Sequence, residues 1–167
     1  MISGDLYDIL SSPMQKVCRE IDTVTVKGSI KPMRLFTIDV QTEDLERTQD
    51  PLHDKNLRDK KSLRDRMRNE LLEKLFSGKE TTWSEFNSDY EFIELRKYVD
   101  PEFEEFFAES YKHYINGDWE KAGPAFRELV EWRPKDGPAV NLNKVINLEN
   151  HGVAPPDWKG YRPLTSK

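Results

Sequence analysis

Cysteine is almost missing from this chain: Cys18 stands alone among 167 residues. A single thiol excludes an intramolecular disulfide framework and fits a reducing compartment. Histidine is nearly as scarce. His53, His113 and His151 lie far apart, and with one cysteine they form no recognisable metal-ligand spacing. No run approaches the ~18 apolar residues of a membrane span, and Met1 is not followed by a basic stretch and an apolar core. The sequence therefore predicts a chain with no membrane span and a cytoplasmic, intracellular location. With 8 Gly and 10 Pro it is neither collagenous nor of low complexity.

Charge and aromatic rings are plentiful. The chain is 34% charged and 36% hydrophobic, against roughly 25% charged in ordinary domains. It holds 4 Trp, 6 Tyr and 8 Phe, the groups that nucleate packed cores, so it is not a disordered polyampholyte. The net charge of −5 is spread thinly along the chain. Its one basic concentration runs from Lys55 to Arg68 and is interrupted by Asp59 and Asp65. It lacks the interleaved aromatics of single-stranded nucleic-acid binders. It reads as a solvated helix face, and no nucleic-acid partner is expected.

Three regions follow from periodicity and punctuation: 1–40, 41–82 and 83–167. In the first, Asp5 to Ser11 predicts a short helix with Leu6, Ile9 and Leu10 on one face, stopped by Ser12-Pro13. Arg19 to Val26 is rich in β-branched residues and predicts a strand; Met33 to Val40 predicts a second, across a turn at residues 27–32. Adjacent strands with a short connection imply an antiparallel hairpin, which cannot stand alone in water. The second region opens as a charged linker. It becomes an amphipathic helix from Asp59 to Phe76, with Leu63, Met67, Leu71 and Leu75 every four residues and a glycine cap at Gly78. Thr82-Trp83-Ser84-Glu85 has capping-box form, so a new helix is predicted from Trp83.

The third region reads as helical until its tail. Phe86, Tyr90, Ile93 and Tyr98 suggest an apolar face, and Asp100-Pro101 a helix start. Asn116-Gly117 breaks that helix, Asp118 is placed to cap the next, and Arg133-Pro134 ends it. A further helix is expected over Pro138 to Asn150. Ala122, Phe126 and Pro134 stand at the spacing of the alanine, aromatic and proline positions of a tetratricopeptide repeat, with Gly117 at the turn. An ordinary helical hairpin with an aromatic core accounts for the same residues. Phe106, Trp119, Phe126 and Trp158 are the candidate interaction rings. The tail, with Pro155, Pro156, Trp158, Tyr161 and Pro163, should be extended and pack its rings back on the helices. The expected fold class is α+β, mainly α: a helix and β-hairpin followed by a helical, TPR-like extension.

Ile2-Ser3-Gly4-Asp5-Leu6-Tyr7, then Cys18 through Gly28 (Cys-Arg-Glu-Ile-Asp-Thr-Val-Thr-Val-Lys-Gly), then Pro32 through Val40, resemble the closing segment of the class III adenylate/guanylate cyclase catalytic domain. Gly117-Asp118-Trp119, Pro134-x-Asp136-Gly137-Pro138, and above all Pro155-Pro156-Asp157-Trp158-Lys159-Gly160 with Leu164-Thr165-Ser166-Lys167 resemble the helical C-terminal extension of many bacterial and protist cyclases. The resemblance implies that Lys27 contacts the nucleotide polyphosphate, where a cation on a sheet-end turn neutralises charge building on the phosphates. It also implies that the two metal-binding aspartates, the base-selecting pair and the Asn/Arg pair lie before Met1. Asp5, Asp8 and Asp22 do not stand at those positions. No cofactor is expected in this chain, the Mg or Mn of the parent cyclase and its ATP or GTP being held by the missing part. The chain alone should not cyclise a nucleotide, because the in-line attack has no activating ions.

Two expectations follow. The chain is a C-terminal fragment of a cyclase, a phosphorus-oxygen lyase of intracellular signalling, with Lys167 its true end and the remainder of the enzyme its partner. Alternatively, it is a non-catalytic structural or interaction subunit of a larger assembly, in which the edge of the hairpin can pair with a partner strand.

Overall fold

The computed structural model describes residues 1–26, 28, 31–40 and 57–164, with 57–60 described by their backbone alone. The fold is α+β and mainly helical. It forms two compact units, one of residues 1–39 with 100–167 and one of residues 40–99.

The first unit begins with β1 (Ile2–Ser3), α1 (Gly4–Ile9) and α2 (Ser12–Lys16). Ser3 starts α1 by accepting the Leu6 N–H. Ser12-Pro13 does not merely stop this helix, as the sequence suggested. Proline is tolerated in a first helical turn, where its missing N–H has no partner to lose, and Pro13 opens α2. The strands β2 (Cys18–Val26) and β3 (Met33–Ile38) pair antiparallel, as the alternation predicted, although β3 ends two residues short of Val40. A bulge between Glu20 and Asp22 shifts the register, so Arg19, Asp22 and Val24 are all buried.

The helical part comprises α3 to α8 (Leu57–Phe76, Thr82–Ser88, Tyr90–Arg96, Pro101–Ile115, Trp119–Trp132 and Gly137–Asn143), of which α6 to α8 belong to the first unit. Asp100 caps α6 through the Glu102 and Phe103 N–H groups, with Pro101 in the first turn. Gly117, at φ +79°, makes the turn into α7. Asp118 makes no side-chain cap to α7; its carboxylate instead meets Lys121 at 2.8 Å and His113 at 3.2 Å. The helix expected over Pro138 to Asn150 is α8 followed by a π-helical turn, Lys144–Glu149.

One core runs through these helices. Phe103, Phe107, Tyr111 and Tyr114 of α6 interleave with Trp119, Ala122, Phe126 and Leu129 of α7, and with Leu142 and Ile146 beyond. Phe107 meets Phe126 edge to face at 5.5 Å and Tyr114 stacks on Trp119 at 5.5 Å. The tail follows Trp158 back onto this core, then forms a strand that periodicity did not suggest. β4 (Arg162–Leu164) pairs parallel with Val24–Val26, giving the sheet order β1-β3-β2-β4.

The close approach between α7 and the π-helical turn depends on Gly123 beside Ala122. A Cβ at Gly123 would lie 2.7 Å from Asn147 Oδ1. Asn147 cannot swing away freely: its Nδ2 donates to Gly123 O and Asn143 Oδ1, and Arg127 donates to its Oδ1. The Gly123→Ala variant is expected to lose about 1–3 kcal/mol, the usual cost of overpacking. Urea unfolding followed by tryptophan fluorescence checks this, and an unchanged midpoint would contradict it.

The second unit contains α3 to α5. Gly78, at φ +68°, follows the end of α3 as the sequence predicted. The capping box sits one residue earlier than read: Thr81 accepts the Ser84 N–H, and Ser84, not Glu85, returns a bond to the Thr81 N–H. Asp89 then caps α5, splitting the expected helical stretch in two. Phe86, Tyr90, Ile93 and Tyr98 are exposed rather than gathered on a covered face. No residue from 61 to 99 is buried.

Candidate functional site

Val26 and Gly28, the latter at φ +91°, are the described residues on either side of the predicted phosphate contact. Lys27 itself lies outside the described residues, as does Lys55 at the start of the basic run. Trp119 and Phe126, two of the four rings expected to offer an interaction surface, are corrected to core positions. They are 1% and 0% exposed, and a ring with no accessible face cannot recruit a partner. Phe106 is half-buried against the same core. Trp158 packs at 5.0 Å from both Tyr114 and Trp119, and its indole N–H donates to Ile115 O at 3.0 Å.

A cleft of about 980 Å³ lies between β2 and α6. Cys18, Glu20 and Thr23 project from β2, Arg34 from β3, and Tyr111 and Lys112 from α6. The bulge in β2 sets this face, since Glu20 is opposite Phe36 while Thr23 is opposite Arg34. Thr23 Oγ1 lies 3.1 Å from the Tyr111 hydroxyl, which donates to Glu20 Oε1 at 3.5 Å. Burial raises the Glu20 pKa, against the opposing pull of Arg34 and the two hydroxyls. Burial likewise pushes the Tyr111 phenol up, beyond reach of ordinary pH, so it remains a donor. Arg34 is occupied by Asp8, at 2.7 and 2.8 Å, and lies over the stacked rings of Tyr7 and Phe36. The cleft can accept a polar ligand through carboxylate and hydroxyl groups. Among the described residues no group of three His, Cys, Asp or Glu side chains is placed to hold a metal ion.

No protein-family model, curated protein or solved structure matches the chain.

Beside the cleft, buried ion pairs join the hairpin to the start of α8 and to β4. Arg19 of β2 places its guanidinium 4.3 Å from the centre of the Phe107 ring and reaches Asp39 and Asp136, each at 2.6 Å. Burial alone would weaken its proton affinity, but the two carboxylates outweigh that and raise its pKa. Asp136 also caps α8 through the Ala139 N–H at 2.8 Å, so one carboxylate serves both the ion pair and the helix. Asp22 binds Arg162 of β4 at 2.6 Å. Burial raises the Asp22 pKa despite that partner, and the buried Tyr114 hydroxyl lies beside it.

Periodicity missed these residues for a definite reason. Arg19, Glu20 and Asp22 lie in a strand whose β-branched residues drew the attention, and their partners Tyr111, Asp136 and Arg162 are distant in sequence. The available signal was three charged residues within four positions of a predicted strand. Half-buried strands place such groups outward unless something pairs them. No helix among the described residues is long and apolar enough to cross a membrane.

Proposed function

We propose that the chain works as the C-terminal part of a class III nucleotide cyclase and is not catalytic alone. The observation that carries this reading is the sequence run Cys18 to Gly28, with its Val-Lys-Gly ending, of which Cys18–Val26 forms β2. Support comes from the order strand, two short helices, antiparallel hairpin over residues 2–38, which differs by one helix from the order that the resemblance implies. In this reading Lys27 meets the nucleotide phosphates, and the helical extension holds the hairpin through Arg19, Asp136 and Arg162. The metal ions and the remaining catalytic groups come from the rest of the enzyme. The product would be a cyclic nucleotide for intracellular signalling.

Sequencing the transcript upstream of the Met1 codon tests the proposal. The expected result is an open frame that continues into a strand carrying a metal-binding aspartate. Its longer product should convert ATP or GTP with Mn, while the 167-residue chain should not. An in-frame stop codon immediately upstream would overturn the reading. It would favour the alternative, an interaction subunit, to which the uncovered apolar side chains of residues 61–99 lend their own support.

A further inference from the structure

We infer that the cleft between β2 and α6 binds a small zwitterion, a molecule with a primary ammonium group and, a few bonds away, a carboxylate or a phosphate. This inference does not rest on the cyclase reading, whose phosphate contact is Lys27. It begins from the direction of the two walls. Arg19 of β2 lies over Phe103 and Phe107, early in α6, and Thr23 meets Tyr111 further along it. Strand and helix therefore advance together, and the cleft runs from the start of α6 towards its last turn. Its volume of about 980 Å³ lies at the upper end of the range for small-molecule sites.

Three oxygen atoms meet midway along the cleft. The Tyr111 hydroxyl lies 3.1 Å from Thr23 Oγ1 and 3.5 Å from Glu20 Oε1. Tyr111 is buried and Glu20 half-buried, while Arg34 is held by Asp8 through two bonds. Glu20 is thus a carboxylate without a cation of its own, and burial prevails over Arg34 to raise its pKa. A primary ammonium supplies what is lacking: one positive charge, and three N–H donors for three neighbouring oxygens.

The last turns of α6 have the opposite need. Lys112 lines the cleft one residue after Tyr111. Lys159 joins it from the tail, between Trp158, whose indole N–H donates to Ile115 O, and Gly160, packed against that same carbonyl. Among the described residues neither lysine makes an ion pair. Tyr114 O and Ile115 O already accept from the Trp119 and Trp158 indoles, which lessens the repulsion that a helix C-terminus exerts on an anion. At the other end Lys16 lines the cleft with Glu104 and Glu105, where both signs are present.

Charge decides between ligand classes. A polyamine would satisfy Glu20 but bring positive charge to Lys112 and Lys159. A free phosphate would satisfy the two lysines and set its own charge near Glu20. A metal ion finds no group of three His, Cys, Asp or Glu side chains among the described residues. A ligand that carries both signs matches both parts of the cleft.

The test is an NMR titration of the ¹⁵N-labelled 167-residue chain with two probes, 2-aminoethyl phosphate and 4-aminobutanoate, whose relative affinities distinguish a phosphate from a carboxylate. At least one is expected to bind more tightly than about 1 mM. Ethylamine, butylamine, ethyl phosphate and butanoate should each bind at least tenfold more weakly than the corresponding zwitterion. Glu20→Gln should bring the zwitterion down to the level of the plain anion. Lys112→Met with Lys159→Met, both at exposed positions, should bring it down to the level of the plain amine. Urea midpoints verify that each variant folds. The inference is overturned if neither zwitterion binds at about 10 mM, if a singly charged probe binds as tightly, or if folded Glu20→Gln leaves the affinity unchanged.

Discussion

Replacing Arg19 by methionine is expected to cost the first unit about 3–5 kcal/mol, because it leaves two largely buried carboxylates without their shared cation. Methionine keeps much of the volume beside Phe107, so the loss is electrostatic rather than a matter of cavity. Asp39 and Asp136 retain only 16% and 12% of their side-chain exposure, too little for water to replace the guanidinium. The control is the same chain with Asp39→Asn and Asp136→Asn added. It removes both carboxylate charges, and the asparagine can still cap α8, so most of the loss should be recovered. Urea unfolding read by tryptophan fluorescence measures both. A loss below about 1 kcal/mol for Arg19→Met would mean that the cluster behaves as a surface pair, whose usual worth lies in that range.

A chain ended at Ala154 is expected to lose at least as much, with a pH dependence of its own. The truncation removes β4 and its pairing with β2, and exposes Tyr114 and Trp119 where Trp158 had packed. It also deprives Asp22 of Arg162. Domains of ordinary stability have about 5–15 kcal/mol in total, so the truncated unit should unfold at much lower urea. Asp22 sets the sign of the pH effect. Its folded pKa is already raised by burial, and loss of the cation raises it further. A carboxyl of this kind contributes most below its unfolded pKa, and that contribution is lost as pH rises through the folded value. The difference in unfolding free energy between the parent and the truncated chain should therefore be smaller near pH 4 and larger at neutral pH. A difference independent of pH would show that Asp22 does not depend on the tail for its charge.

Several elements were legible because their causes are local. The strands β2 and β3 follow from β-branched alternation, α6 from Asp100-Pro101, and the end of α3 from Gly78. Caps were harder. Thr81 and Thr82 both precede a plausible partner three residues on, and only the backbone geometry chooses the pair that closes. The aromatic stripe of α6 and α7 was visible, but not which of its rings remain at the surface. That depends on helices that meet in space, which is why Trp119 and Phe126 proved to be core and Phe106 only half-buried. The cleft between β2 and α6 was invisible for the same reason. Its walls are brought together by the bulge at Glu20 and Asp22, a shift of one position that no composition reveals.

By itself, the sequence determined that this chain has no disulfide framework, that a short helix and a hairpin precede a mainly helical remainder, and where most helices start and stop. Those properties depend on residue counts and on neighbours within a few positions, which a linear reading contains. Tertiary structure alone decided that the tail returns as a parallel strand, that Arg19 and Asp22 are buried ion-pair centres, and that residues 61–99 cover none of their apolar groups fully. These depend on partners as many as 140 positions apart. Whether such a charge is solvated or buried is settled only when the distant group that neutralises it has been folded into place.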